Sequence, residues 1–467
     1  MKNSRINGRG ALWGLCCAAV VALAGTPAHA DEGMWLFEKP PVKMVKDSLG
    51  VDLSPEWLEH VRKSAVRFEN GGSGSIVSAD GLVMTNHHVG VDMIVKHSTK
   101  ERDFLETGFL AQTRAEELKC PDLEVRVLWE IRDVTDEVLS SGGGSAGEGE
   151  PARKAKIAEL EGSATSDGRV GQVVKLYQGG KYHLYTYKAF TDVRLVFAPE
   201  LAAAYFGGDT DNFEFPRFNL DCAFFRIYEN GAPLKAEHFL KWSAAGAGDG
   251  EPVFVAGHPG TTRRLLTADH LRFIRDVDHP TRLDAMNRIE VAMQGFCAKD
   301  AESGRTGMDD LLGFANGRKA YSGQLAGLLD PTLIAQKQAE EAALREGASP
   351  EAAEAMDAAL RAIQDAQSAH RAFFETRYYV DLLTRRSALL NRTLLAVRAA
   401  TERVKPSGER LTEFSDARLP STELDMLSEE PVHEKLEIER LAQALTLLAG
   451  VRGGDDPVVV ALLGGKG

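Results

Sequence analysis

Two adjacent histidines, His87 and His88, close the stretch Gly71 to Val89, GGSGSIVSADGLVMTNHHV. An imidazole held at the end of a rigid element is suited to general-base chemistry near neutral pH. Gly74 and Ser75 open a strand-like run through Ile76 and Val77. Ala79-Asp80-Gly81 is turn chemistry, with Gly81 able to take positive φ, and Leu82 to Met84 reads as the return strand that delivers Thr85-Asn86-His87-His88. The same region offers a second chemistry. HHVGVDMIVKH places His87, His88 and His97 near Asp92, a ligand set for a metal-dependent hydrolase. It does not reproduce H-E-x-x-H and has no glutamate between the histidines, so acid–base chemistry is the better reading and no metal or cofactor is expected. A plain surface hairpin ending in two histidines is the inert alternative.

A histidine base needs a carboxylate to fix its tautomer and to stabilise the imidazolium. Phe206 to Tyr228 reads FGGDTDNFEFPRFNLDCAFFRIY: a glycine and acid turn, a proline stop, then an apolar strand that begins behind Asp221. An acid at the mouth of a buried strand is well placed to line a cleft, which favours Asp221. Asp209 and Asp211 compete, but they lie within the turn, where short acids cap the local backbone.

The elements that must position these groups divide the chain in two. From Asp31 to about Arg275 short β-rich runs alternate with turns: Leu123 to Ile131, Val170 to Tyr177, Tyr182 to Ala198, Ala223 to Tyr228 and Pro252 to Ala256. Ser140 to Gly149 is a Gly/Ser loop with a helical pattern behind it. After His279-Pro280, Thr281 to Met293, Ala335 to Arg345, Pro350 to Arg371 and Val380 to Arg403 carry helical periodicity, and His433 to Leu448 does so again. Ser349-Pro350-Glu351 has the order of an N-cap, a first-turn proline and an acid facing the helix dipole. The charge-rich faces of these helices read as wet surface.

The first thirty residues have a basic start (Lys2, Arg5, Arg9), an apolar stretch from Ala11 to Leu23 and the small-residue site Ala28-His29-Ala30. They read as a secretory signal peptide, which implies a periplasmic or secreted protein. No other stretch is long and apolar enough to span a bilayer. The formal charge of the 467 residues is −13, and the leader carries only basic groups, so the remainder is more acidic still, which argues against a nucleic-acid partner. Cys120, Cys222 and Cys297 remain beyond the leader, enough for at most one intrachain disulfide.

The order strand, tight turn, strand, T-x-x-H resembles the base-bearing hairpin of chymotrypsin-like serine peptidases, with His88 in the fourth position. With TNHHV upstream, GGDTDNFEFPR followed by DCAFFRIY downstream, Met34-Trp35-Leu36, the run Val255 to Arg263 and Asn316 to Gly323, the chain resembles the bacterial S46 dipeptidyl peptidases. The resemblance implies a chymotrypsin-like β-barrel with an α-helical insertion: a leader over 1–30, the first barrel over 31–275 and the helical domain over 276–467. It also implies removal of dipeptides from peptides with a free N-terminus, with His88 as base and Asp221 as its orienting carboxylate. Asn212 and Asn316 would hold the substrate's α-ammonium, Phe213 would pack on the substrate where many members have tryptophan, and Arg217 would hold its backbone or the turn. An amide oxygen accepts well from an ammonium, and a clamp at fixed reach from the nucleophile counts residues from the free end.

A serine peptidase also needs an activated serine, usually in a G-[DN]-S-G loop beyond the histidine and the aspartate. No such loop occurs here. Gly72-Ser73-Gly74 precedes the histidine, Ser141 sits in a Gly/Ser loop, and Ser322 lies in the helical region. By the resemblance, the second barrel, with the serine and much of the side-chain pocket, is largely or wholly absent from the sequence. A fragment, a split gene completed by a C-terminal half, or a degenerate homologue that binds peptides without cutting them would each account for this. A homodimer is a further expectation, since a lone first barrel exposes an apolar face.

Overall fold

The computed structural model describes residues 34–142, 149–166, 168–259, 263 and 265–465. The expected leader, the centre of the Gly/Ser loop and Gly260, Thr261 and Thr262 lie outside the described residues.

The first half is built on eleven strands: β1 Ala65–Phe68, β2 Ser73–Ile76, β3 Leu82–Thr85, β4 Phe109–Leu110, β5 Leu118–Lys119, β6 Val125–Asp133, β7 Arg169–Leu176, β8 Lys181–Phe190, β9 Val193–Ala198, β10 Ala223–Glu229 and β11 Ala232–Pro233. They form one sheet in the order β4-β9-β10-β3-β2-β1-β6-β8-β7, with β11 on β10 and β5 on β9, and every pairing is antiparallel. The pairing runs as an open path among the described residues. Val66, Val125, Val193, Leu195, Ala223, Phe225 and Ile227 are all fully buried in the core beneath it. Each large apolar side chain so buried stabilises by about 1.5–3 kcal/mol. That alternation pins the register, because a slip of one residue would turn Phe225 and Ile227 outward. In the observed register Ala223 faces Thr85 and Phe225 faces Val83. The residues just before β10 are thereby set beside those just after β3, where the site lies.

The β2–β3 hairpin turns at Gly81, whose φ of +73° is the left-handed conformation its sequence position calls for. The chain leaves β3 directly into a helix rather than a loop. Of the first six helices, α1 Val42–Leu49, α2 Pro55–Ser64, α3 His87–His97, α4 Phe104–Thr107, α5 Thr135–Ser141 and α6 Glu150–Ala164, it is α3 that carries both histidines. Its valine-rich sequence is a modest helix former, and it is held by packing Val89, Met93 and Ile94 into the sheet core.

Pro252 to Ala256, expected as a strand, forms none. Val255 is almost fully exposed and Val253 largely so. A strand exists only by pairing, and no strand among the described residues flanks this run. Its far end is tied down instead, where the His258 backbone N–H donates to Ser73 Oγ at 2.7 Å.

The second half is helical: α7 Ala268–Phe273, continuing through a π turn at Ile274–Asp278 into α8 His279–Cys297, then α9 Ala301–Leu329, α10 Pro331–Glu346, α11 Pro350–Arg386, α12 Ala388–Glu402, α13 Leu419–Met426, α14 Glu434–Arg452 and α15 Pro457–Leu462. Ser349 caps α11 through its hydroxyl with Pro350 in the first turn, as its sequence implies. The helical pattern from Val380 to Arg403 is broken at Ser387, whose hydroxyl accepts from Leu390 N–H and caps α12. Ile289, Met293, Phe296, Tyr379 and Leu448 form the helical core. At its edge buried Arg386 and neighbouring Arg440 both donate to Asp310. Among the described residues no helix is long and apolar enough to cross a membrane.

Candidate active site

Asp221 lies two residues ahead of β10 and His88 in the first turn of α3, so the register of β3 and β10 brings them together. His88 Nδ1 and Asp221 Oδ2 are 2.7 Å apart, and Asp221 Oδ1 accepts the backbone N–H of His88 at 3.1 Å. The carboxylate therefore takes the place of an N-cap on α3, with the positive end of the helix dipole favouring its charge. Asn86, which occupies the cap position, makes no side-chain cap. Its amide instead donates to Asp221 Oδ2 at 3.0 Å and to the Asp221 carbonyl at 3.2 Å. Burial pushes the Asp221 carboxyl upward, but the hydrogen bonds from the His88 ring and backbone, the charge of that ring and the Asn86 amide more than offset this, leaving it below the usual carboxylate range. An ionised acid on Nδ1 holds the imidazole with Nε2 free to take a proton.

The neighbouring His87 is in a different environment. It is 1 % exposed, its Nε2 has no hydrogen-bond partner, and burial pushes its ring below the usual histidine range. A ring enclosed in this way has no path to a substrate, whereas the His88 side chain is partly exposed. No group of three or more histidine, cysteine or acidic residues able to hold a metal occurs among the described residues, and His87, His88, His97 and Asp92 are not assembled into one. Cys120, Cys222 and Cys297 are unpaired thiols, and burial pushes that of Cys120 up to about 12.

The turn ahead of Asp221 supplies the rest of the site. Asn212 is completely buried and donates from Nδ2 to Asn316 Oδ1 at 2.8 Å, across 104 residues of sequence and from sheet half to helical half. The Asn212 amide oxygen has no partner, and a buried acceptor left unpaired is costly unless a donor arrives. Phe213 projects with 61 % of its surface exposed and a φ of +62°, a conformation bulky residues seldom adopt and one found at constrained functional turns. Arg217 is gripped by Asp209 at 2.9–3.0 Å, and Asp209 in turn accepts the Gly207 N–H. Asp211 accepts the Phe218 N–H. Both rival acids are thus spent on the local turn, and Arg217 serves that turn in this structure.

Three contacts are not legible in the sequence. Lys319, one helical turn beyond Asn316, donates to the Thr210 carbonyl at 2.5 Å and pairs with Glu214 at 3.3 Å, fastening α9 to the turn. Asn86 was in view inside TNHH, but its role depends on which acid reaches it. Phe206 lies flat against His88, and only the folded chain brings them together. The turn also packs against α9 at Gly207, where φ is +99° and an added Cβ would lie 2.2 Å from the Leu312 carbonyl oxygen. Gly207→Ala is expected to push the turn off α9 and destabilise the fold by about 2 kcal/mol or more, read as a lower midpoint in urea. Alanine at Gly313, where an added Cβ meets nothing within 4 Å, serves as the tolerated control.

Comparison with known proteins places the chain. The chain is 35% identical over 285 residues to dipeptidyl-peptidase 7 of Phocaeicola vulgatus, covering 55% of this chain and 40% of that protein. It is likewise 35% identical over 282 residues to the Asp/Glu-specific dipeptidyl-peptidase of Porphyromonas gingivalis, covering 55% and 39%. The crystal structure of DPP11 from Porphyromonas endodontalis in complex with the dipeptide Arg-Glu superposes with a TM-score of 0.72 at 25% identity, over 90% of this chain and 64% of that one. These matches thus span about 40% of the length of the two curated relatives. The peptidase S46 family model matches residues 30–467, and the chain belongs to that family.

Proposed function

We propose that this chain carries the base, the orienting carboxylate and the substrate clamp of a serine-type dipeptidyl peptidase acting on peptides with a free N-terminus. The observation that carries the reading is the pairing of His88 with Asp221 at 2.7 Å, a short stretch of chain away from a buried amide pair whose Asn212 oxygen lacks a donor. An α-ammonium would supply that donor. In the reaction His88 Nε2 removes the proton of an attacking serine hydroxyl, Asp221 stabilises the imidazolium that forms, and the same ring returns the proton to the departing amine. Phe213, exposed beside the clamp, offers a flat apolar surface to the substrate. Among the described residues no serine is in hydrogen-bonding contact with His88, so the nucleophile is assigned to no residue of this sequence. A periplasmic or secreted setting fits this reading, with peptides as the partners and neither nucleic acid nor a membrane span involved.

The test compares a peptide with its N-acetylated form. Acetylation removes the charge and two of the donors that the amide pair would bind, so release of dipeptide is expected to fall on the order of 10²-fold. Equal rates on the two substrates would sink the clamp. Binding of the free peptide without any turnover would favour the second reading, a peptide-binding protein, for which the missing serine contact speaks.

A further inference from the structure

Phe206 lies on the imidazole of His88, with ring centroids 3.9 Å apart and planes 12° from parallel. The Arg217 guanidinium lies over the same Phe206 ring, 5.2 Å from its centroid. Arg217 is fixed by Asp209, and Asp209 by the Gly207 backbone next to Phe206. Asp221, which also accepts the Asn86 amide, holds the histidine from its Nδ1 edge. A continuous line of contacts thus runs Asp209, Arg217, Phe206, His88, Asp221, Asn86. Its first three members belong to the same turn that carries Asn212 and Phe213.

We infer that Phe206 is a positioning residue for the proposed reaction, setting the plane of the His88 ring and stabilising the imidazolium that forms during proton transfer. This rests on the function proposed above. Two physical effects support it. A flat ring against one face of the imidazole blocks rotation of His88 toward that side and keeps water off that face, while Asp221 restrains the Nδ1 edge and Nε2 stays open. The face of a phenyl ring also carries negative quadrupole density, so it favours an imidazolium over a neutral imidazole. The Asp209 carboxylate neutralises Arg217, which limits the repulsion that the guanidinium would otherwise add. Because the turn holds both Phe206 and Asn212, a shift of the turn when Asn212 takes up a ligand reaches the base through this ring.

The experiment uses Phe206→Leu and Phe206→Tyr in the full chain with selectively 13C-labelled histidine, His88→Ala identifying the His88 resonance. The wild type and the tyrosine variant should show the His88 ring proton shifted upfield by the stacked aromatic, together with a slowly exchanging Nδ1 proton far downfield. The leucine variant should lose both signals while keeping its melting temperature. Retention of both in Phe206→Leu overturns the inference. In a preparation that releases dipeptides, Phe206→Leu should lower kcat roughly three- to tenfold with KM little changed, the worth of one cation–π contact, and Phe206→Tyr should restore it. An unchanged kcat, or an equal loss in both variants, overturns it too. If the wild type supplied with the serine-bearing part releases no dipeptide, the proposed function fails, and the spectra still decide how the ring is held.

Discussion

In the proposed enzyme, replacing His88 with alanine is expected to remove nearly all dipeptide release, on the order of 10⁴-fold or more in kcat, as loss of a base that acts as a unit with its nucleophile does. Of the two adjacent histidines, His88 is the one in contact with Asp221, and its side chain keeps 38% of its surface open to an incoming substrate. KM should change little, because the ring makes no part of the amide pair that would hold the substrate's amine. The fold should also survive, since the residue is partly exposed and α3 is anchored by Val89, Met93 and Ile94. His87→Ala provides the contrast. That ring is buried in the core, so its loss should lower the melting temperature while the surviving folded protein keeps its kcat. Turnover by His88→Ala within tenfold of wild type would strip the residue of its role.

Asp221→Asn should cost about as much, on the order of 10⁴-fold in kcat, with the backbone unchanged. The reason is a count of hydrogens. Three donors converge on the carboxylate: His88 Nδ1–H and the Asn86 amide on Oδ2, and the His88 backbone N–H on Oδ1. An asparagine has one acceptor oxygen, so in either orientation its NH2 meets a donor. The cheapest relief is for the imidazole to move its proton to Nε2, which disables it as a base. The same substitution should alter the acid limit of stability. The folded-state pKa of Asp221 lies below its ordinary value of 3.8, so its ionised form contributes stability that is fully present above that value and is lost as pH falls through the folded-state value. Denaturant midpoints measured as pH falls below about 4 should drop less steeply for Asp221→Asn than for wild type. Parallel curves would mean that the hydrogen bonds to Asp221 add nothing to folding.

How much of this could be read from the residues depends on the range of the forces involved. The hairpin at Gly81 was legible because turn chemistry is local, and so was the cap at Ser349. His88 and Asp221 were legible as candidates because each stands at the end of an apolar run; their contact is a matter of register, which the sequence constrains only through the alternation of Val83, Phe225 and Ile227. The link of Asn212 to Asn316 spans two halves of the molecule and was accessible only through the family resemblance. Phe206 gave no sign beyond its place before two glycines, since a stacked ring is a tertiary fact. Pro252 to Ala256 misled for the opposite reason, its local preference being strong and its pairing partner missing among the described residues.

The amide of Asn212 and the carboxylate of Asp221 stand near the two ends of one short stretch of main chain, tied at one end to α9 through Asn316 and Lys319 and at the other to α3 through His88. In the proposed enzyme the size of the fragment released is therefore a backbone dimension. Relatives could diverge freely in which side chains they accept while the unit of cutting stays the same, because no single substitution in a specificity pocket lengthens that span. Only an insertion or deletion in the turn would, and such a change would dislodge the base as well.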